Sequence, residues 1–239
     1  MTKYLYNTIW AMGNTRFRRD EFFQQLYFIG NRSLPIVVFC VAFAAIVTIL
    51  ESSFHMRMVI QNDSMVPGFA AILILRELGV IIASLLLCSR VGAGYASEVA
   101  TMQITEQIDA LKMLNINPYS YLVVPRVLAG IVGTVFISIV ANMVCLYAAA
   151  KVAEIYMGFT PNMFLNSMLQ FVEMKDLGFA AIKGAVFGGI IPLVACYMGF
   201  NCKNGADGVG SATTNAVVVA SVLIIVFDFI MSYVFSYFY

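Results

Sequence analysis

Charge is scarce in this chain. Of its 239 residues only 11% are Asp, Glu, Lys or Arg, with 14 basic against 13 acidic side chains, while 61% are apolar. Soluble domains carry about 25% charged and 45–50% apolar residues. A single compact core cannot hide so much apolar side chain, because a folded domain of this size still presents a large surface to water. The composition therefore excludes an ordinary soluble monomer and points to an integral membrane protein. The near-neutral balance excludes a basic nucleic-acid footprint.

Other absences narrow the chemistry. There is one histidine, His55, and none of the five cysteines (Cys40, Cys88, Cys145, Cys196, Cys202) forms a CxxC pair. A His/Cys metal site has too few ligands, and no cofactor is expected. No GxxxxGK[ST] phosphate loop occurs, so the chain cannot hydrolyse ATP by that route. The glycines Gly92 and Gly94 follow an apolar helical run, not a strand, which argues against a dinucleotide loop. Gly205-Ala206-Asp207-Gly208 resembles an intramembrane aspartyl site only loosely and reads as a Gly-rich turn. A membrane serine peptidase would need a histidine within the bilayer, and His55 falls at the outer edge of a span. The start of the chain lacks the basic, apolar and small-residue regions of a signal peptide, so the first apolar run reads as a retained span.

Apolar runs are abundant. Ser33–Leu50 is 18 residues without charge, enough for a first span. Before it, Trp10, Phe17, Phe22, Phe23, Leu26, Tyr27 and Ile29 mix with Arg16, Arg18 and Arg19. That mixture suits an interfacial helix over residues 1–32; a disordered tail is the alternative, disfavoured by the aromatics. Ser64–Ser89 forms a second span interrupted only by Arg76 and Glu77, and Val127–Ala150 a third. Leu177–Phe200 and Ser211 to about Phe238 form the fourth and fifth, carrying Lys183 and Asp228. Between the third and fourth, Met163, Phe164, Met168 and Phe171 suit a segment resting on a membrane surface. The whole reads as one domain, residues 1–239, of an all-α integral membrane protein with about five transmembrane helices.

Residues 94–115 have a different character. Ala96, Ala100, Ile104, Ile108 and Leu111 recur every three to four positions, with Glu98, Glu106, Gln107, Asp109 and Lys112 between them. This pattern predicts one amphipathic helix outside the membrane, ended by Asn115, Asn117 and Pro118. With the N-terminus in the cytoplasm, nine Lys and Arg fall inside, three outside and two within spans, accounting for all 14. The positive-inside rule favours that orientation and puts the amphipathic helix in the cytoplasm. Its acidic polar face suits a protein partner better than an anionic lipid surface.

Within the spans, Arg76 and Glu77 stand out, because ionisable residues at mid-bilayer are costly and kept for a partner or a pathway. Adjacent residues on a helix point about 100° apart, so each is expected to reach a neighbouring helix. Either a structural clamp or a polar element of a substrate route satisfies this. Lys183 could pair with Asp228 or snorkel to the surface. Gly184-xxx-Gly188 predicts close helix packing.

The stretch LRELGVIIASLLLCSRVGAGYASEVATMQITEQIDALKMLNINPYSYLVVPRVLAG, Leu75–Gly130, closely resembles the signature of the MlaE/YrbE permease family. Arg76, Glu77, Leu78 and Gly79 match, as do Arg90, Gly92, Glu98, Met102, the run from Thr105 to Leu111, Pro118, Pro125 and Arg126. A second block, GADGVGSATTNAVVVASVLIIVFDF, resembles the start of the family's last span. Val80 replaces a usual proline, which puts a kink in the second span in doubt, and Asn117 replaces a common Asp.

The resemblance implies a permease subunit of an ABC-type phospholipid transporter in the bacterial inner membrane. The implied partners are a second copy of the chain, a cytoplasmic ABC ATPase and an MCE-domain protein on the outer side, with phospholipid as cargo. No covalent step is implied, so the chain itself is not an enzyme. Glu98, Glu106, Gln107 and Asp109 would lie on the helix facing the ATPase. Arg76 and Glu77 would lie near a lipid cavity or its supporting wall. A membrane scaffold that moves nothing is the main alternative. A self-contained channel or secondary transporter is another, although no internal repeat is evident.

Overall fold

The computed structural model describes residues 2–14, 18–59, 65–203 and 205–237. Among these there is no strand. Ten α-helices follow in order: α1 (Thr2–Asn14), α2 (Arg19–Val59), α3 (Val66–Leu73), α4 (Gly79–Leu87), α5 (Ala93–Ile104), α6 (Gln107–Met113), α7 (Val124–Met157), α8 (Pro161–Phe171), α9 (Met174–Phe200) and α10 (Gly205–Ser236). Wider π turns at Ile74–Leu78, Cys88–Gly92 and Tyr119–Val123 join α3 to α4, α4 to α5 and the approach to α7. Among the described residues, five helical stretches are long and apolar enough to cross a membrane: Arg19–Met56, Val66–Ile104, Tyr119–Met157, Met174–Phe200 and Gly205–Ser236.

Each stretch is longer than the uncharged run that signals it. Hydropathy marks where lipid is tolerated, while the helical backbone continues until its hydrogen bonding is broken. The 41 residues of α2 give about 60 Å of helix, twice the hydrocarbon thickness. The segment after Arg19 is thus the first part of α2. In the 1–32 segment, Thr2–Asn14 and the residues from Arg19 onward are helical, as two helices where one was expected; Arg16 and Phe17 lie outside the described residues.

The chain divides into two compact units. The first comprises Met1–Ser33, Ser84–Thr134 and Ala185–Tyr239, and the second Leu34–Ala83 and Val135–Gly184. In the first unit, Gly208, Ala212, Ala216, Ala220 and Ile224 form the buried stripe of α10 at four-residue spacing, packed against α5. The rest of α10 is exposed: Val222, Ile225, Phe229 and Tyr233 are all more than half accessible. Backbones approach closely where α7 passes α9, since a Cβ at Gly130 would strike the Gly188 carbonyl and the reverse. Helix α1 is anchored by Tyr4, which packs on Tyr119 and Tyr197 and donates to the Leu193 carbonyl at 3.2 Å. Burial pushes the Tyr4 hydroxyl well above its ordinary range, so it remains a donor.

In the second unit, Val37, Val41, Ala45 and Ile49 form the buried edge of α2, while Phe39, Phe43, Val47 and Phe54 are exposed. An apolar residue every fourth position inward, with apolar residues outward as well, is what a helix between protein and lipid requires. Helix α8 begins at Thr160, whose side chain accepts from Met163 N–H, with Pro161 at the first helical position. It packs on α3, where Gly68 N–H donates to Ser167 Oγ at 3.1 Å. Of the four residues expected on a membrane surface, Phe164 is buried and Phe171 lies against Gly68, whereas Met163 is 56% exposed.

Two boundaries differ from the sequence expectation. The run 94–115 is not one helix: α5 continues the second span to Ile104, the chain breaks at Glu106 with φ +58°, and α6 follows. The Gly-rich turn is shorter than expected, because α10 already starts at Gly205. Gly208 is needed there, since a Cβ would strike the Lys203 carbonyl.

Candidate functional site

The second unit carries a set of charged side chains inside helices of membrane-spanning length. Arg76 and Glu77 sit on the π turn Ile74–Leu78, closed by Gly79 N–H donating to the Ile74 carbonyl, an i+5 bond. Such wide turns recur at functional sites because they loosen the regular ladder. Val80 is fully buried in α4, so without the family's proline the helix still departs from α geometry, through this π turn.

Both residues reach α9. Arg76 Nε lies 2.6 Å from Asp176 Oδ1. Asp176 is completely buried, and its Oδ2 also accepts from Glu173 N–H at 2.9 Å. One carboxylate thus pairs with a cation and caps the first turn of its own helix. Lys183 Nζ lies 2.8 Å from Glu77 Oε2 and donates to the Arg76 carbonyl at 3.1 Å. It also sits 5.1 Å from the centre of the Phe179 ring. Asp176, Phe179 and Lys183, at i, i+3 and i+7, occupy one face of α9.

Each charge therefore has an opposite charge at contact distance, with one member of each pair fully buried. Such pairs need good geometry and further hydrogen bonds to offset desolvation, and both have them. The expectation that Arg76 and Glu77 each reach a neighbouring helix holds. For Lys183, where pairing with Asp228 and snorkelling to the surface were both open, the structure shows a pairing with Glu77, because the π turn carries Glu77 and the Arg76 carbonyl to the lysine. Asp176 was not singled out in the sequence; its neighbours Glu173 and Lys175 make it look like part of a solvated loop. Close packing supports the set. A Cβ at Gly79 would strike Asn142 Oδ1 on α7, and one at Gly184 would come within 2.8 Å of Ser138 Oγ.

The first unit holds the second group of sequence candidates. Glu106, Gln107 and Asp109 are exposed on and just before α6. Positive φ at Glu106 and at Asn115 (+58° and +59°) brackets this helix. Ile108 is 1% exposed and packs with Tyr4, Val99, Leu122, Val123, Val127 and Cys196, anchoring α6 from beneath. Asp109 accepts from Lys112 at 2.7 Å, both side chains more than half exposed, a contact of small energetic worth. Met113 and Leu114 are 89% and 71% exposed beside these polar groups. Asn117 Oδ1 accepts from Tyr119 N–H at 3.0 Å, a role that Asp would fill equally. Glu98 is separate from the α6 group: it is on α5, 2.9 Å from Arg126. Among the described residues, no three His, Cys, Asp or Glu side chains gather as a metal site.

Five helices of membrane-crossing length, with buried ion pairs on two of them, define an all-α multi-pass membrane protein. The chain matches the family described as Permease MlaE over residues 22–234, and it belongs to that family. It is 36% identical over 209 residues to a probable ABC transporter permease protein of Rickettsia typhi, covering 87% of this chain and 80% of the relative. A second such permease, from Rickettsia prowazekii, is 36% identical over 212 residues, 89% of this chain and 82% of its own length. The chloroplastic protein TRIGALACTOSYLDIACYLGLYCEROL 1 of Arabidopsis thaliana is 32% identical over 209 residues, 87% of this chain and 59% of the relative. The protein is thus a permease of the ABC transporter class.

Proposed function

We propose that this chain is the transmembrane subunit of a transporter that moves phospholipid between the bacterial inner membrane and an MCE protein assembly. A separate ATPase drives it, and two copies of the chain work together. The observation that carries the reading is α6. It is a seven-residue helix set off by a left-handed residue on each side, held by one buried isoleucine, with Glu106, Gln107 and Asp109 facing outward. A permease without a phosphate loop must receive force from another chain, and a short anchored helix with an acidic, partly apolar tip suits docking in a partner groove. Glu98, on α5 and paired with Arg126, stands apart from this handle.

The charge count of nine against three supports placing α6 in the cytoplasm. The cargo is argued from the family and from a relative named for a diacylglycerol lipid. The exposed apolar faces of α2 and α10 suit acyl chains and a second copy. Arg76 and Glu77 then serve as the polar, ion-paired wall beside the cargo route, and Glu77→Ala reduces lipid transport while the complex with the ATPase still assembles.

The test of the α6 role is Glu106→Lys combined with Asp109→Lys, with Lys203→Glu as the control. Truncated interface charge contacts lose about 2–5 kcal/mol when central and far less at a rim. The double reversal is expected to weaken ATPase association about tenfold or more, corresponding to about 1.4 kcal/mol. Wild-type association and wild-type transport in that variant would remove the coupling role and favour the scaffold reading.

A further inference from the structure

Helix α1 lies before residue 22, where the family match begins. Tyr4, Thr8 and Ala11, at i, i+4 and i+7, are all buried and form its inner face. Tyr6 and Trp10 are more than half exposed. The inner face packs on the turn Tyr119–Val123 at the entry to α7.

Tyr4 is where α1 meets two spans. Its ring centre is 5.7 Å from that of Tyr119, at the entry to α7. It is 5.3 Å and 6.2 Å from those of Tyr197 and Phe200, in the last turn of α9. Rings held edge-on at such separations have a preferred geometry as well as buried area. The hydroxyl is tied to the Leu193 carbonyl, and the Tyr4 carbonyl accepts from Thr8 Oγ1 at 2.9 Å. Ile108, the anchor of α6, belongs to the same buried cluster as Tyr4.

Helix α6 has little else behind it. A cavity of about 360 Å³ borders it, with Tyr4, Ile108, Lys112 and Tyr119 among the lining residues. The helix is seven residues long and is bracketed by Glu106 and Asn115, non-glycine residues at φ +58° and +59°. Such a conformation persists only where its surroundings hold it. A short helix on two such joints, beside a cavity, can be displaced without moving the spans. The cluster around Tyr4 is what ties it to α7 and α9.

We infer that Tyr4 is a positioning residue for coupling, and that α1 is the strut that carries it. A displacement of α6 passes through the Ile108 and Tyr4 cluster to the entry of α7 and the end of α9. Without Tyr4 the cavity absorbs it. The inference rests on the coupling reading of α6 proposed above and gives α1 its role in that coupling.

The first test is amide hydrogen exchange of the full chain in nanodiscs, without ATPase or ATP. Tyr4→Ala is expected to speed exchange over residues 107–113 and 119–123 about tenfold or more, because the contact that restrains local opening is gone. Residues 161–171 of α8, in the second unit, should exchange as in the wild type. Unchanged exchange in α6, or equal acceleration in α8, would overturn the strut. The second test is phospholipid moved per ATP hydrolysed in proteoliposomes with the ATPase subunit, a ratio that corrects for any loss of bound ATPase. It should fall about tenfold in Tyr4→Ala and stay within about twofold of wild type in Tyr4→Phe, which keeps the ring contacts. If Tyr4→Ala does not fold, Tyr4→Leu, apolar but without the ring, decides by the same criteria. A wild-type ratio in the Tyr4 variants, with transfer lost in Glu106→Lys, Asp109→Lys, would overturn the role of Tyr4 and leave the coupling reading standing. Wild-type transfer in both would overturn the coupling reading and this inference with it.

Discussion

Asp176 offers the sharpest energetic prediction. It is fully buried, 2.6 Å from Arg76, and accepts a second hydrogen bond from Glu173 N–H. Asp176→Ala removes one partner of a buried pair, which typically costs about 3–5 kcal/mol. Arg76 keeps 26% of its side-chain surface accessible, so part of its lost pairing is recovered from water or headgroups, and the lower end applies. Loss of the Glu173 hydrogen bond adds about 1 kcal/mol, for a total of about 4 kcal/mol. The assay is equilibrium unfolding of the full chain in mixed detergent micelles, followed by far-UV circular dichroism. The double variant Arg76→Met, Asp176→Leu replaces both charges with apolar groups. It should be at least about 2 kcal/mol more stable than the sum of the single losses, the signature of a coupled pair. A loss below about 1 kcal/mol for Asp176→Ala, or strict additivity in the cycle, would refute the claim that this pair is a buried clamp.

Three further outcomes follow from packing and topology. Gly79→Ala should destabilise by about 1–3 kcal/mol through overpacking on Asn142, and Asn142→Ala in the same chain should restore most of it; thermal melts check both. Ile108→Ala should cost about 2–4 kcal/mol and weaken ATPase association with the charges of α6 intact, measured by co-purification. Single cysteines replacing Lys203 and Lys151 should label from opposite faces of sealed vesicles, and labelling from one face would overturn the proposed orientation.

The five spans were legible because each contains a long apolar run, and the end of α6 because Asn115, Asn117 and Pro118 are strong breakers. The break before α6 was not. MQITEQ contains no Gly or Pro, and nothing in that run announces a left-handed glutamate; the turn is imposed by burial of Ile108 and by Thr105 and Glu106 bonding back to Thr101 and Gln103. Arg76 and Glu77 were visible as charges in an apolar run, but their partners were not. Asp176 lies about 100 residues away at the edge of a polar segment, and pairing over that distance leaves no local pattern. Lys183 was visible as a charge in a span, yet its choice of Glu77 depends on the π turn, which also has no sequence signature. Glu98 shows the converse. Its place in an amphipathic run groups it with Glu106 and Asp109, while its contact with Arg126 separates it from them.

The central claim is that this permease moves phospholipid only when a partner hydrolyses ATP. The direct measurement is transfer of fluorescent phospholipid in proteoliposomes holding the full chain, with and without the ATPase subunit and with and without ATP. Transfer is expected only when chain, ATPase and ATP are all present, and it should fall in the Glu106→Lys, Asp109→Lys variant. Transfer by the chain alone would make it a self-contained channel, and ATP hydrolysis by an assembled complex with no lipid movement would make it a scaffold.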